Sequence, residues 1–313
     1  MHVYLTFDPP GPAADMLREH HEVTVWDGPG FAPADALAAH LPDLDGLYCT
    51  LTTPVDQALL DAAPRLRVVS QFAVGVDNID LEACRARGIA VGHTPDVLTE
   101  TTADTAFGLL LAGSRRFVEG LDHIRAGEWR GFEMTRFLGG DIHHTTLGIV
   151  GMGRIGEAIA RRAAGFDMDV LFTRRRTDPS ELGQRVDLDE LLATADHVVV
   201  AAPLTPETHH LIDETALRRM RPTAGLVNIA RGPIVDTDAL IRALAEGWIR
   251  YAALDVTDPE PLPADHPLMA LPNCLVVPHL GSSSTRAREA MGTLAAENLL
   301  AGLAGRPMPA RIA

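Results

Sequence analysis

The chain has 313 residues, enough for two domains that each bury a core of their own. Its 42 acidic residues outnumber its 27 basic residues, and the formal charge of −15 argues against binding to nucleic acid or to an anionic membrane surface. The basic residues are all arginines, so chemistry that requires a lysine, such as Schiff-base formation or phosphate binding by a P-loop, is excluded.

Cysteine usage and the N-terminus indicate a protein of the cell interior. Cys49, Cys84 and Cys274 are odd in number and scattered, which argues against a disulfide framework and against a C-x-x-C metal site. Residues 1–8 lead directly into a strand without the basic segment of a signal peptide, and no apolar run approaches the length of a membrane span. We therefore expect a cytoplasmic protein that binds no metal.

Short apolar runs alternate with helical patterns over the first hundred residues. Strands are predicted at 3–7, 23–26, 46–50, 66–71 and 89–92, and helices at 13–21, 33–40, 55–62 and 81–87. Such alternation predicts a parallel sheet with helices on both faces. Because ligands bind beyond the carboxyl ends of such strands, the loops 50–54 and 73–77 are candidate ligand sites. Gly75 in the second loop fits a ligand site and a simple tight turn equally well.

A long helix rich in Ala and Leu is predicted at 101–115, and it carries the chain into a second region. Residues 113–140 look less regular and contain Trp129, Phe132 and Phe137, which fit either a subunit interface or a core. Alternation then resumes, with strands predicted at 146–150, 169–172, 197–201, 225–228, 251–254 and 275–277. A helix over 283–303 is predicted to end the chain.

A glycine-rich turn joins the predicted strand at 146–150 to a helical pattern at 157–164. It reads Gly151-Met152-Gly153-Arg154-Ile155-Gly156. In the G-x-G-x-x-G fingerprint the three glycines allow, in order, the tight turn, the approach of a pyrophosphate and the packing of helix on strand. The N–H groups and the positive dipole end at the start of the helix then bind phosphate. This context favours dinucleotide binding over a plain glycine turn.

The end of the next predicted strand selects between the two nicotinamide dinucleotides. An NAD site carries an Asp or Glu there for the ribose hydroxyls, but this chain reads Thr173-Arg174-Arg175-Arg176. A guanidinium binds a 2′-phosphate through paired hydrogen bonds, whereas a carboxylate repels it. The run therefore favours NADPH over NADH, and a solvated basic loop is the alternative.

Three residues near the ends of later predicted strands form a candidate catalytic set. They are Arg231, Glu260 and His279. Strand ends at one edge of a parallel sheet converge, so the three side chains could meet. A guanidinium would hold a substrate carboxylate, and an imidazole would pass a proton to a carbonyl oxygen. A neighbouring carboxylate would orient that imidazole and favour its protonated form. Taken singly, each residue also fits a structural role, as a surface ion pair, a loop acid or a packed ring.

At this point the sequence resembles the D-isomer-specific 2-hydroxyacid dehydrogenases, and within them it looks like the glyoxylate/hydroxypyruvate reductases. The resemblance covers nearly the whole chain. It is carried by the segments at 73–80, 101–104, 147–156, 203–208, 228–232, 253–256, 258–261 and 278–282.

The resemblance implies an α/β fold of two doubly wound parallel-sheet domains. A Rossmann dinucleotide-binding domain at 97–282 would be inserted into a flavodoxin-like substrate-binding domain formed by 1–96 and 283–313. It further implies NADPH-dependent reduction of a small 2-keto acid, glyoxylate or hydroxypyruvate, by a homodimer joined through the coenzyme domain. NADH remains possible as the cofactor.

Matching the family's motifs gives each candidate residue a role. Arg231 would bind the substrate, Glu260 would pair with the histidine, and His279 would be the proton donor. The other residues expected at the substrate are Leu51, Val74, Gly75 and, from the partner subunit, Trp129. The residues expected at the cofactor are Thr102, Gly151, Gly153, Arg154, Ile155, Gly156, Thr173, Arg174, Arg175, Pro203, Thr208, Ile229, Ala230, Asp255, His279 and Gly281. Phe132 stands where the reductase branch commonly has a second tryptophan.

Two other interpretations stay open. The first is another activity of the same family, such as that of a formate, phosphite or phosphoglycerate dehydrogenase. The second is a binding protein that senses NAD(P)H, which would bind the cofactor tightly and reduce 2-keto acids slowly.

Overall fold

The computed structural model describes residues 1–175 and 180–313, and the chain divides into two compact units. The first unit comprises Met1–Leu98 and Ser283–Ala313, and the second comprises Thr99–Ser282. The second unit is therefore inserted into the first. The two boundaries lie between residues 98 and 99 and between residues 282 and 283. The sequence predicts the first boundary two residues earlier, between 96 and 97, and the second at the same place.

Twelve strands and eleven α-helices are found in the described residues. The strands are β1 (His2–Leu5), β2 (Glu22–Val25), β3 (Gly46–Cys49), β4 (Val68–Gln71), β5 (Ala90–Gly92), β6 (Thr146–Val150), β7 (Asp169–Thr173), β8 (Gln184–Arg185), β9 (His197–Val200), β10 (Gly225–Asn228), β11 (Tyr251–Leu254) and β12 (Cys274–Val276). The helices are α1 (Ala13–Arg18), α2 (Ala34–Ala38), α3 (Gln57–Ala62), α4 (Leu81–Ala86), α5 (Thr99–Ser114), α6 (Phe117–Arg125), α7 (Arg154–Ala163), α8 (Leu188–Thr194), α9 (Glu214–Arg219), α10 (Thr237–Ala245) and α11 (Thr285–Leu303).

The first unit is built on a five-stranded parallel sheet in the order β2-β1-β3-β4-β5. Strands β3 and β4 are fully buried, as expected for a sheet that is covered by helices on both faces. Helix α11 covers one face, where the Ser70 hydroxyl donates a 2.8 Å hydrogen bond to the Ala295 carbonyl. This is the doubly wound order that places ligands at the carboxyl ends of the strands.

The second unit is built on a seven-stranded parallel sheet in the order β12-β11-β10-β9-β6-β7-β8. Two apolar clusters fill its two faces, one under helices α8 to α10 and the other under α5 and α7. The strand order reverses between β6 and β9, and this reversal is where doubly wound sheets open a crevice for dinucleotides. The predicted fold class, two doubly wound parallel-sheet domains, is confirmed.

Helix α6 lies within residues 113–140, which the sequence analysis expects to be less regular. That expectation is wrong for Phe117–Arg125. The apolar residues Phe117, Leu121 and Ile124 have helical spacing, but their side chains are exposed instead of packed in the core. Among the described residues, no helix combines the length and the apolar character that a membrane span requires.

The prediction that a helix ends the chain is wrong, because ten more residues follow α11. They return to the edge of the first sheet, where Arg311 forms an antiparallel bridge with Gly92. The Val91 N–H donates to the Ala313 carbonyl at 3.0 Å, and the Ile312 N–H donates to the Val91 carbonyl at 2.8 Å. The sequence carries no strand signal here because the bridge is formed by isolated residues at the sheet edge.

Candidate active site

The three glycines after β6 differ in the space around them. Gly151 has φ +104°, and a Cβ placed on it would lie 2.5 Å from the backbone nitrogen of Ala202. A Cβ on Gly156, in the first turn of α7, would collide with the Gly151 carbonyl oxygen. Gly153 has φ −95°, and nothing lies within 4 Å of the Cβ position. Backbone conformation and packing therefore require the first and third glycines, whereas the second faces open space that fits a closely approaching phosphate.

A cavity of about 540 Å³ adjoins this loop at the carboxyl ends of β6, β7 and β9. Predicted cofactor residues that line it are Gly151, Gly153, Thr173, Arg174, Arg175, Pro203 and Thr208. Arg185, on the short edge strand β8, also lines it, and the sequence analysis did not identify this residue. Only the pairing of β8 with β7 places Arg185 there, so no local signal could have found it.

Arg174 and Arg175, the two described arginines after β7, lie in different environments. The Arg174 side chain is 10% exposed, its guanidinium lies 5.3 Å from the centre of the Phe172 ring, and it is 3.8 Å from Glu157. Arg175 is exposed and forms a 2.8 Å ion pair with Glu207. Arg176, the third arginine of the predicted run, lies outside the described residues.

His279 and Glu260 form a hydrogen-bonded pair beyond the carboxyl ends of β11 and β12. Nδ1 of His279 lies 2.6 Å from Oε1 of Glu260, and the Thr257 N–H donates to Oε2 of Glu260 at 3.3 Å. Partial burial acts to raise the pKa of Glu260, but the hydrogen bond and charge of His279, the Thr257 N–H and the charge of Arg231 together lower it. Both side chains remain partly exposed, at 32% for His279 and 40% for Glu260, so the pair is accessible to a ligand.

The loop that carries His279 is held by Asp255, which follows β11 and is 2% exposed. One carboxylate oxygen of Asp255 accepts the Leu280 N–H at 2.6 Å, and the other accepts the Gly281 N–H at 2.9 Å. The His279 N–H donates to the Asp255 carbonyl at 2.9 Å, and His279 has the left-handed φ of +52°. Burial raises the pKa of Asp255, although the two N–H donors and the His279 charge oppose it. The family motifs give Asp255 only a contact with the nicotinamide. The structure adds a second role for Asp255, which is to hold the loop that carries His279.

Arg231 lies in the turn after β10, next to the expected cofactor residues Ile229 and Ala230. This turn is fixed by Asn228, which is 1% exposed. Its amide donates to the Arg231 carbonyl at 2.9 Å and accepts the Ala230 N–H at 3.0 Å. The next residue, Gly232, packs so closely on the loop after β11 that a Cβ there would collide with the Thr257 carbonyl. Arg231 and Glu260 are therefore carried by loops in direct contact. A polar residue ending an apolar strand is the signal that could have identified Asn228.

The remaining cofactor residues of the second unit lie close to these elements. Arg154 and Ile155 are the first two residues of α7, directly after Gly153. Thr102 is buried on α5, and its side chain lies 3.4 Å from the Cβ position of Gly281. Trp129 follows α6, and its side chain is 63% exposed. The Phe132 side chain is almost fully exposed, whereas the Phe137 ring packs edge-on against the His123 ring. The three aromatic residues thus do not share one environment.

In the first unit, Leu51 follows β3, and Val74 and Gly75 lie in the loop after β4. Among the hydrogen bonds of the described residues, none is donated by the backbone N–H of Val74 or of Gly75. Both residues are partly buried, and adjacent N–H groups without a protein acceptor fit an anion such as a carboxylate.

The sequence is similar to those of known proteins. Residues 107–281 match the family described as D-isomer specific 2-hydroxyacid dehydrogenase, NAD binding domain. The glyoxylate reductase of Thermococcus gammatolerans is 47% identical over 315 aligned residues, which cover 98% of this chain and 94% of that relative.

Solved structures show the same similarity. The TT0316 protein of Thermus thermophilus superposes with a TM-score of 0.95 at 47% identity and covers 100% of both chains. An NADPH-dependent glyoxylate/hydroxypyruvate reductase of Sinorhizobium meliloti, in complex with NADP and malonate, has a TM-score of 0.87 at 31% identity, covering 100% of this chain and 96% of that one. The resemblance drawn from the motifs is confirmed. This chain therefore belongs to the D-isomer-specific 2-hydroxyacid dehydrogenases, which are NAD(P)-dependent oxidoreductases.

Proposed function

We propose that this protein reduces glyoxylate to glycolate, or hydroxypyruvate to D-glycerate, with NADPH. Reduction of a 2-keto acid follows from the glyoxylate reductase relatives. The observation that carries the proposed mechanism is the 2.6 Å contact between His279 and Glu260. This pair lies next to the turn that carries Arg231, on the same sheet as the glycine loop.

The proposed chemistry divides between a proton donor and a carboxylate anchor. When bound, the reduced nicotinamide supplies a hydride to the carbonyl carbon of the substrate. Because Nδ1 of His279 is bonded to Glu260, Nε2 is the nitrogen left to protonate the substrate's carbonyl oxygen. Glu260 orients the ring, and the Arg231 guanidinium binds the substrate carboxylate.

The substrate and cofactor residues of the sequence analysis keep their proposed roles. The N–H groups of Val74 and Gly75 bind the substrate carboxylate, with Leu51 nearby in sequence on the β3 loop. Gly153, Arg154 and Ile155 hold the pyrophosphate, and Asp255 accepts from the nicotinamide carboxamide with lone pairs that Leu280 and Gly281 leave available. Thr102, Gly151, Gly156, Thr173, Pro203, Thr208, Ile229, Ala230 and Gly281 complete the cofactor site.

The preference for NADPH rests on the arginines at the 540 Å³ cavity. Arg174, Arg175 and Arg185 all line it, and the two described residues directly after β7 are arginines instead of a carboxylate that would accept from ribose hydroxyls. Three guanidinium groups at one cavity favour a ligand with a 2′-phosphate. The Sinorhizobium meliloti relative, an NADPH-dependent glyoxylate/hydroxypyruvate reductase, was solved in complex with NADP and malonate.

The proposed homodimer rests on exposed apolar side chains of the second unit. Of the large apolar side chains that are exposed in the described residues, most lie between positions 117 and 138: Phe117, Val118, Leu121, Ile124, Trp129, Phe132, Met134 and Leu138. So many apolar side chains along one short segment are typical of a subunit interface. A mass measurement in solution tests this, and a monomer that stays monomeric at assay concentration would refute it. A dimer whose Trp129→Ala variant keeps the wild-type KM would refute a role for Trp129 in the partner's substrate site.

The first experiment is absorbance at the reduced-nicotinamide band with each keto acid and each cofactor. Fast oxidation of NADPH and slow oxidation of NADH support the proposal, whereas a preference for NADH removes the role of the arginines. His279→Ala is expected to abolish turnover while cofactor binding persists, and His143→Ala, an exposed histidine, is the matched control. Turnover that survives His279→Ala refutes the assignment. Cofactor binding without turnover of either substrate directs the search to the other family substrates and then to a sensor.

A further inference from the structure

The backbone carbonyls of three consecutive residues after β4 are each held by a different donor. The Thr94 N–H donates to the Ala73 carbonyl at 2.9 Å. Nδ1 of His93 lies 2.9 Å from the Val74 carbonyl oxygen. The Gln71 side-chain amide donates to the Gly75 carbonyl at 3.3 Å. The loop is therefore fixed from its carbonyl side.

Fixing these carbonyls also fixes the N–H groups of the loop. In a planar trans peptide the C=O of one residue and the N–H of the next point in opposite directions. The bond from His93 to the Val74 carbonyl thus sets the direction of the Gly75 N–H. The bond from Thr94 does the same for the Val74 N–H, which is the second proposed carboxylate donor.

His93 is itself held in place by its backbone. Its N–H donates to the Ala310 carbonyl at 3.0 Å, and its carbonyl accepts the Asn298 side-chain amide at 2.9 Å. Since a carbonyl oxygen can only accept, Nδ1 of His93 carries a proton and donates it to the Val74 carbonyl. Helix α11 and the C-terminal segment thereby anchor the ring that orients the loop.

Gln71 belongs to a second, buried network. Its side-chain oxygen accepts from the Cys49 thiol at 3.2 Å, and its amide donates to Asn78 Oδ1 at 2.7 Å. The Asn78 amide in turn donates to the carbonyls of Thr50 at 3.2 Å and Thr53 at 2.7 Å. This network ties the loop after β4 to the loop after β3.

We propose that His93 is a positioning residue that aims the Gly75 N–H of the loop after β4 at the substrate carboxylate. It acts through the Val74 carbonyl and does not touch the substrate. The inference rests on the proposed function of Val74 and Gly75. It predicts that removing the His93 donor raises the KM for the keto acid more than it changes kcat or the Kd of NADPH.

The test compares His93→Ala, His93→Asn and Ser70→Ala. The His93→Asn change does not reproduce the ring, but it keeps an amide donor at the same branch point of the side chain as Nδ1. Ser70→Ala is the matched control, because it removes a buried hydrogen bond from β4 that leads to α11 instead of the loop. We expect a rise in KM of about three- to tenfold for His93→Ala, a return toward the wild-type value for His93→Asn, and no change for Ser70→Ala.

Each outcome decides between specific alternatives. If the wild-type enzyme reduces neither keto acid, the proposed function fails before the variants are compared. If the wild type is active but His93→Ala keeps its KM, the positioning inference is overturned. A fall in melting temperature with a parallel loss of NADPH affinity in both His93 variants indicates a purely structural role and also overturns it. Should His93→Ala fail to fold, His93→Phe keeps an aromatic ring without the donor and provides the same comparison, with the same expected rise in KM.

Discussion

Gly153 separates the requirements of folding from those of cofactor binding. Its φ of −95° and ψ of −165° are open to any residue, and nothing lies within 4 Å of its Cβ position. Gly153→Ala should therefore fold normally. If the open space is where the pyrophosphate approaches the start of α7, the added methyl group should nevertheless weaken cofactor binding.

Gly153→Ala should stabilise the fold but weaken the binding of NADPH. Replacing a glycine by alanine in a compatible conformation raises the free energy of unfolding by about 0.4–1 kcal/mol, because the unfolded chain loses freedom. A hydrogen bond from an N–H group to a charged phosphate is worth about 1.5–3 kcal/mol. Loss of one such bond raises the Kd of NADPH by about ten- to a hundredfold.

Two further variants serve as controls. Gly165→Ala also adds a methyl group to open space but lies just after α7, away from the glycine loop, so the free energy of unfolding should rise by a similar amount while the Kd stays close to wild type. Gly156→Ala would collide with the Gly151 carbonyl and should lower the free energy of unfolding by about 1–3 kcal/mol. Fluorescence titration with NADPH and urea unfolding measure the two quantities. A Gly153→Ala variant that binds NADPH as tightly as Gly165→Ala would refute the placement of the pyrophosphate.

Three other predictions concern the dyad, the cofactor and the thiols. Glu260→Gln removes the carboxylate that orients the His279 ring, so kcat/KM for the keto acid should fall by about tenfold or more, and a variant that keeps the wild-type kcat/KM would contradict this. Since the folded-state pKa of Glu260 lies below its ordinary value, the pair stabilises the fold at neutral pH, and urea unfolding should show this advantage over Glu260→Gln disappearing as acid protonates the carboxylate. Arg174→Ser should raise the KM for NADPH by about tenfold and leave that for NADH unchanged, and an equal rise for both cofactors would exclude contact with a 2′-phosphate. Burial raises the pKa of Cys274 to about 12 and also that of Cys49, so the native protein at neutral pH should resist iodoacetamide, as mass spectrometry would show, and rapid labelling of either thiol would refute that burial.

The sequence predicts every strand of the two sheets except β8, because the others are short apolar runs between helical patterns. Strands β6, β10 and β11 are predicted with the bounds that the structure shows, and the other predicted strands differ by one or two residues at an end. Helix α6 could not be predicted from core periodicity, since the side chains of Phe117, Leu121 and Ile124 are exposed. The return of residues 311–313 to β5 depends on backbone bonds between distant parts of the chain, which leave no local pattern.

The residues of the candidate site also fall into two groups, those that a local sequence pattern predicts and those that only the fold brings into place. Glu260 and His279 could be paired from sequence because each follows a strand of one parallel sheet, and adjacent strand ends lie side by side. Arg185 could not be assigned to the cavity from sequence, because it reaches the cavity only through the pairing of the two-residue strand β8 with β7. His93 also lies outside the motifs that carry the family resemblance, and its contact with the Val74 carbonyl depends on the fold around it.

Backbone hydrogen bonds explain how the second unit holds the turns that carry Arg231 and His279 in a fixed relation. The Asp255 N–H donates to the Asn228 carbonyl at 2.9 Å, and the His279 N–H donates to the Asp255 carbonyl at 2.9 Å. The ends of three neighbouring strands are thus joined in sequence, and the side chains of Asn228 and Asp255 brace the turns that carry Arg231 and His279. Because these bonds are buried and made by the backbone or by short side chains, the relative positions of guanidinium and imidazole are set by the edge of the sheet, whereas the side chains themselves remain exposed enough to meet a substrate.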